Sequence, residues 1–478
     1  MYQSAHQSFD EGLMRRGFFL EGEVWIGRVE HGDANTLLEI SVSDRFPFRP
    51  PSVRPVDPEA LPWSWHRERD GRLCLVAEDD HDGLWWKNGE AFVDHIHSWL
   101  LKSDDDWADD RTDLDLERYF DQADDKRLYL YDLTESASAY VRFLPQSNNT
   151  VVMKGHGLKP RKGGTSKTVY GFTVDVGEIA TPPHTWDDLG NLMPDPTHVR
   201  SMIVAKNIRV LLVKYRRGDH PAVIALEVWE ATGGDIIARG LQSASTSDAA
   251  RTRRAGTTFS KLQNKSVAII GVGAIGSFTA DALARAGIGQ LTLIDKDILK
   301  PGNTIRHLAG PRYVGLPKVE AVKQTIVASG TMTDDRIVAS QYWLRTGVDV
   351  MDLLREVDLI INATADFSIT ALLKAVARFS GAHVLSSAIQ NRGRTIRIDV
   401  LPPIGDAAPL PASHAEGDPA FLEDEFFEAG CGSPVSPTAP YTAVEAAAVT
   451  ARHAVGLLVD APIDPSGEVR QAGNGELS

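Results

Sequence analysis

The sequence predicts an α/β protein. Its C-terminal part should be a doubly wound parallel sheet, preceded by an α+β domain and a mixed α/β segment. Three observations carry this expectation. From residue 256 onward, apolar strands alternate with amphipathic helices: KSVAIIG, SFTADALARAG and QLTLID, then VDLIINAT, TALLKAVARF and AHVLSSAI. A glycine-rich turn, GVGAIG, joins the first of these strands to the first helix. Near the N-terminus, two strand-like runs lead into a proline-rich turn and then a helix.

Composition narrows the field. The chain has 478 residues, room for about three domains of ~150 residues each. Hydrophobic residues make up 42% and charged residues 24%, as in ordinary globular chains. A net charge of −15 argues against a nucleic-acid partner, which would call for a basic face. No apolar run approaches the ~20 residues of a membrane span. The opening MYQSAHQSFDEG lacks the basic and apolar regions of a secretory signal, so a cytoplasmic protein is expected. The two cysteines, Cys74 and Cys431, do not suggest a disulfide framework and exclude a zinc site of four cysteines from this chain.

In residues 1–120, FLEGEVWIGRV and NTLLEISV read as strands. FPFRPPSVRP holds too many prolines for a sheet interior and belongs at an edge or in a loop. EAFVDHIHSWLL places Phe92, Ile96, Trp99 and Leu100 on one helix face. The acidic run SDDDWADD that follows is a solvated stretch. Residues 121–255 form a linker domain with strands at NIRVLLVKY and AVIALEVWE and a loop at GHGLKPRKGG; no chemistry is assigned to it. The polar run SASTSDAARTRRAG closes it. Residues 256–478 carry the alternating pattern, a long Pro/Ala-rich loop, and TAVEAAAVTARHAVGLL as the closing helix.

The turn points to a nucleotide. Gly271, Gly273 and Gly276 lie between a strand and a helix, where a bare backbone can approach phosphate and the helix N-terminus favours negative charge. Asp295 ends the next strand, where a carboxylate can accept from ribose hydroxyls. Alone, this pattern suits a nicotinamide-dependent oxidoreductase. Asn303, Arg306 and Lys318 then follow closely, and a dehydrogenase needs no such cluster there. A nucleoside triphosphate does, because charge builds on its phosphates during transfer.

This stretch resembles the adenylation domain of ubiquitin-activating enzymes and of their bacterial relatives in thiamin and molybdopterin synthesis, a Rossmann-like fold. The resemblance implies ATP and Mg²⁺ as cofactors. It implies that Asp295 binds ribose, that Asn303, Arg306 and Lys318 hold the triphosphate, with Arg306 and Lys318 taking part in catalysis, and that Asp366, in NATAD, holds Mg²⁺. His307 stands where many relatives have glutamine, and the zinc-binding cysteine pairs of many relatives are absent. Relatives dimerise through this domain and borrow an arginine from the partner subunit. A homodimer is therefore expected, with Arg251, Arg253 and Arg254 as candidates for that arginine.

Cys431 lies between glycines in FFEAGCGSPVSP, ahead of the last helix, a setting in which a thiolate can be activated and can move. In the resembling family, the loop before that helix carries the cysteine that captures the activated carboxylate. Residues 1–120 resemble the ubiquitin-conjugating enzymes through FPFRPPSVRP, His66, GRLCL and Trp85, which makes Cys74 a second nucleophile. The family's histidine-proline-asparagine reads His66-Arg67-Glu68 here, so the asparagine that supports the oxyanion is missing; Asp79, Asp80 and His81 are candidates to assist. The implied function is ATP-dependent activation of the C-terminus of a ubiquitin-like protein, or of a target protein. A thioester on Cys431, transthiolation to Cys74 and transfer to an amine of a target would follow. The arrangement is similar to fused proteins of bacterial antiphage operons, in which the target is a nucleotidyltransferase. Two alternatives stand: an enzyme that activates a sulfur carrier, with a non-catalytic N-terminal binding module, and a nicotinamide-dependent oxidoreductase.

Overall fold

The computed structural model describes residues 2–76, 83–105, 107, 114–133, 138–157, 168–183, 185–364, 366–412 and 438–471. The chain divides into two compact units, residues 1–247 and 248–478.

The first unit opens with helix α1 (Tyr2–Arg15) and an antiparallel meander of β1 (Phe19–Glu21), β2 (Val24–His31), β3 (Ala34–Ser41) and β4 (Ser52–Pro55) in sequential order. FLEGEVWIGRV is thus two strands, broken at Gly22, whose φ of +66° suits a tight turn. FPFRPPSVRP ends in the edge strand β4, where proline's missing donor costs no ladder bond. Helix α2 (Gly89–Asp104) starts at Asn88, whose side chain accepts from the Glu90 and Ala91 amides. It buries Phe92, Ile96, Trp99 and Leu100 against the meander.

A second, mixed sheet follows in the same unit. Its strands are β5 (Leu128–Tyr131), β6 (Tyr140–Pro145), β7 (Thr150–His156), β8 (Val169–Glu178), β9 (Val210–Arg217), β10 (His220–Glu230), β11 (Ile236–Gly240) and β12 (Ser243–Ser245). Their order is β11-β10-β9-β8-β6-β7-β5-β12. NIRVLLVKY and AVIALEVWE are the hairpin β9–β10. Helices α3 (Trp186–Leu192) and α4 (Pro196–Val204) cover one face. The core beneath them also takes Trp65, Leu116, Tyr119 and Phe120, which precede this sheet in the chain.

The second unit begins with the short helices α5 (Asp248–Thr252) and α6 (Phe259–Leu262). Then come β13 (Ser266–Ile270), α7 (Gly276–Ala286), β14 (Gln290–Ile294), α8 (Lys318–Ala328), β15 (Ile337–Ser340), α9 (Gly347–Glu356), β16 (Leu359–Asn362), α10 (Phe367–Ser380), β17 (Val384–Gln390), β18 (Thr395–Leu401), α11 (Pro440–Leu458) and β19 (Gly467–Gln471). The sheet order is β15-β14-β13-β16-β17-β18-β19. β15 through β17 are parallel and the last two strands antiparallel. Val267, Ala268, Ile269 and Ile270 are all 0% exposed, because α7, α8 and α11 cover one face and α9 and α10 the other. This is the expected doubly wound α/β fold. One expectation is corrected: α11 does not close the unit, since β19 returns to the sheet edge after it. GEVRQ has a single strongly apolar residue, half-exposed Val469, and therefore shows no strand periodicity. Among the described residues no helix is long and apolar enough to cross a membrane.

Candidate functional site

The order of the sheet reverses between β13 and β16, and the loops leaving these strands diverge to opposite faces, the usual place for a ligand in an open α/β sheet. The glycine-rich turn lies there. Gly271 has φ +83°, and a Cβ on it would meet Thr364 Cγ2 at 2.9 Å, so the two loops touch. A Cβ on Gly276 would fall 1.9 Å from the Gly271 carbonyl oxygen. At Gly273 nothing lies within 4 Å. The turn is closed where helix packs on strand and open where a phosphate would approach the start of α7.

Val272, inside the turn, is held by both of its backbone groups. Its N–H donates to Asp295 Oδ2 at 2.9 Å, and the other oxygen, Oδ1, accepts from Asp297 N–H at 2.9 Å. Its carbonyl lies 2.8 Å from His307 Nε2. His307 Nδ1 accepts from Ala309 N–H at 3.0 Å, so the ring proton sits on Nε2 and is donated to Val272. Burial, with a contribution from the Lys318 charge, pushes the His307 pKa down to about 4. The sequence marks His307 only as a departure; its bond to Val272 joins segments far apart in the chain.

A pH dependence follows. The folded pKa of about 4 lies below the ordinary 6.5. As pH falls through that window the unfolded chain binds a proton that the folded chain does not, and stability is lost, on the order of 3 kcal/mol in total. His307→Gln can keep both hydrogen bonds without titrating. Denaturant midpoints measured from pH 7 to 4.5 are expected to fall less steeply in His307→Gln than in the unsubstituted protein; parallel slopes would refute the assignment.

The remaining candidates lie around the same strand ends. Asn303 belongs to the turn Pro301–Arg306, where its Oδ1 accepts from Lys300 N–H at 3.0 Å, which leaves its amide group as a donor. Arg306 Nη1 donates to the Thr438 carbonyl at 3.3 Å. Lys318 begins α8, and its Nζ pairs with Asp297 Oδ2 at 2.9 Å. Asp366 caps α10: its Oδ1 accepts from Ser368 N–H at 2.8 Å and from Ile369 N–H at 3.2 Å. Its Oδ2 has no hydrogen-bond partner among the described residues. One uncommitted carboxylate oxygen beside an open phosphate cradle fits Mg²⁺, which commonly takes one or two carboxylates and completes its shell with phosphate and water. Behind this loop stands Asn362, 1% exposed. Its Nδ2 donates to Thr370 Oγ1 (2.9 Å) and Ser386 Oγ (3.1 Å), and its Oδ1 accepts from Thr364 Oγ1 (2.8 Å). Thr364 Oγ1 in turn accepts from Asp366 N–H at 3.0 Å. The available signal was an asparagine ending an otherwise apolar strand.

Residues 248–432 match the model of the ThiF family. The C-terminal unit carries a ThiF-family domain. The chain is 32% identical over 162 residues to ubiquitin-like modifier-activating enzyme 5 of Drosophila virilis, covering 31% of this chain and 40% of that protein. It is 35% identical over 133 residues to uncharacterized protein y4qC of Sinorhizobium fredii, covering 26% of this chain and 23% of that one. It therefore spans less than half the length of either. Among solved structures, E. coli MccB with ATP aligns at a TM-score of 0.35 and 18% identity, over 45% of this chain and 64% of MccB.

Within the ThiF-family domain, Arg251 lies on α5, with Arg253 and Arg254 just after it. Arg254 lines a cleft with Phe259, Arg285 and Arg336, none of which belongs to the glycine-rich site. Cys431 lies outside the described residues, as do Asp79, Asp80 and His81. Cys74 lies upstream of the matched segment, after β4. It lines a cleft of about 220 Å³ with Arg49, Pro50, Pro51 and Arg72, so the proline-rich turn and GRLCL are brought together. Its N–H donates to the His66 carbonyl at 2.8 Å, and the His66 ring stacks on Trp107 with ring centres 3.5 Å apart. Trp85 packs against His95, ring centres 4.6 Å apart, and His95 Nε2 lies 2.7 Å from the Leu75 carbonyl.

Proposed function

We propose that the ThiF-family domain adenylates the C-terminal carboxylate of a ubiquitin-like protein, and that the acyl group passes through Cys431 and Cys74 to an amine of a target protein. The observation that carries the reading is the turn at the sheet's reversal point. Its open position is Gly273; Thr364, on the loop that leads to Asp366, packs against Gly271, and Lys318 pairs with Asp297, whose N–H is held by the same Asp295 that holds Val272. Those groups suit a triphosphate. A carboxylate oxygen attacks the α-phosphorus, the bond to the bridging oxygen breaks, and pyrophosphate leaves. Lys318 exchanges Asp297 for phosphate, while Asn303 and Arg306 add donors. Asp295 orders the turn through Val272, and each of its oxygens keeps a lone pair for a ribose hydroxyl. Bound Mg²⁺, held by Asp366, would neutralise charge on the phosphates.

The Cys431 thiolate then attacks the acyl carbon and AMP leaves; the Cys74 thiolate takes the acyl group; an amine displaces Cys74. The meander β1–β4 between α1 and α2, with Cys74 on the segment after β4, supports a ubiquitin-conjugating role for the N-terminal part. The domain division at residues 120 and 255, a homodimer through the ThiF-family domain, a cytoplasmic location and a place in antiphage defence belong to the same reading.

The cysteines act after adenylation. The protein carrying both Cys74→Ala and Cys431→Ala is expected to keep ATP–pyrophosphate exchange driven by the carboxylate substrate. Cys74→Lys should trap that substrate as an isopeptide at position 74, seen by mass spectrometry of reduced protein, and should stop target modification. Target modification by Cys74→Ala at the unsubstituted rate would sink the relay and favour sulfur-carrier activation with a docking module.

A further inference from the structure

The segment that presents Cys74 is anchored in the core of the eight-stranded sheet as well as in its own. Trp65 is 2% exposed and packs with Leu116, Tyr119, Phe172 and Leu189. Its Nε1–H donates to the Ala180 carbonyl at 3.0 Å, and the Arg217 guanidinium lies 4.4 Å from its ring centre. Its own carbonyl accepts from the Tyr119 hydroxyl at 2.9 Å and from Arg118. Trp63 repeats the pattern, donating to the Pro182 carbonyl at 2.9 Å.

The next residue is His66, whose carbonyl holds the Cys74 amide. Arg67 then forms a bridge with Leu73, and its guanidinium, on a residue 4% exposed, donates to the carbonyls of Pro58, Leu61 and Gly71. From the other side, Trp99 Nε1–H donates to the Cys74 carbonyl at 3.1 Å. The Cys74 backbone is therefore clamped between α2 and a loop whose far end is riveted into the second sheet. The first core closes on its own set of residues, from Phe9 to Leu100, without Trp65. A loop tryptophan buried in the neighbouring sheet fixes where the loop sits.

We propose that Trp65 is a positioning residue for Cys74, and that the eight-stranded sheet serves acyl transfer by fixing the backbone from which the thiol projects. This rests on the reading that Cys74 carries the acyl group. In the step served, an amine nitrogen bonds to the thioester carbon, the C–S bond breaks, the sulfur leaves as thiolate, and the amine proton passes to it or to water. Small errors in placing the reacting carbon are costly in such a step.

The test uses the 478-residue chain with Cys431→Ala, so that Cys74 is its single thiol. Cys74 is loaded from a diglycine thioester of mercaptoethanesulfonate and discharged onto free lysine, followed by mass spectrometry. Trp65→Ala is expected to load to the same extent and to discharge at least about tenfold more slowly. Trp65→Phe, which keeps the buried ring, should recover most of the rate. Tyr119→Phe, which removes only the hydroxyl bonded to the Trp65 carbonyl, should fall between. A merely structural role would lower the loaded fraction and leave the first-order constant alone, and that result overturns the proposal. Should Trp65→Ala not fold, an unchanged constant in the double variant Tyr119→Phe with Arg118→Ala, which removes both side-chain donors to the Trp65 carbonyl, overturns it equally. Failure of the Cys74 relay would appear separately, as target modification by Cys74→Ala.

Discussion

Asp366→Asn is expected to abolish ATP–pyrophosphate exchange while leaving the ThiF-family domain as stable as before. Asp366 has one observed role and one proposed role, and this substitution separates them. One is structural: Oδ1 caps α10 through the Ser368 and Ile369 amides. Asparagine caps about as well as aspartate, so the cost in stability should be only a few tenths of a kcal/mol. The other is electrostatic: Oδ2 is the oxygen that fits Mg²⁺, and an amide carries no charge to hold the ion against the phosphates. Exchange should fall by about 10³-fold or more, the scale on which charge stabilisation at transferring phosphoryl groups acts. Asp366→Ala should match that loss and also lose about 1 kcal/mol through the missing cap. Exchange and thermal melting of both variants, compared with the unsubstituted protein, decide it. Near-normal exchange in Asp366→Asn would remove Asp366 from the metal site.

Gly276→Ala is expected to cost the second unit about 3 kcal/mol or more, because overpacking here meets backbone instead of a side chain that can turn aside. The added carbon would lie 1.9 Å from the Gly271 carbonyl oxygen. That residue cannot easily retreat, since its N–H donates to the Ile294 carbonyl at 2.8 Å and it touches Thr364. The informative control is Gly273→Ala. With nothing within 4 Å of the new Cβ, its stability should change little, yet the methyl would occupy the approach to the phosphates. Calorimetric titration with a non-hydrolysable ATP analogue should show weakened binding in both variants, with the melting temperature lowered only in Gly276→Ala. Unweakened binding by Gly273→Ala would mean that nucleotide does not use this turn.

The contrast between the two glycines marks how far the sequence can be read. The motif places Gly271, Gly273 and Gly276 at a strand-to-helix turn from local pattern alone, and the strands and helices around it follow from apolar periodicity. β19 was missed because an edge strand need not show that periodicity. Asn303, Arg306, Lys318 and Asp366 likewise stand out as candidates by residue type and spacing, since a triphosphate and its metal would demand such charges. The cap made by Asp366 joins residues near in sequence, whereas the Lys318–Asp297 pair spans 21 residues, and the geometry of both depends on how α8 and α10 begin.

Sequence by itself determined the α/β class, the glycine-rich turn and the residue types around it, because these depend on interactions within a few residues or on pattern along one element. Only the tertiary structure decided that His307 donates to Val272, that Asn362 ties β16 to β17 and α10, and that Trp65 lies in a core built mainly from residues far downstream. Each of these depends on a hydrogen bond or a burial between separate elements, such as the His307 bond to Val272 across 35 residues and the Asn362 bond to Ser386 across 24. Whether a histidine, an asparagine or a loop tryptophan is buried and satisfied is set by the partner that folding brings to it, and the pattern along its own element does not name that partner.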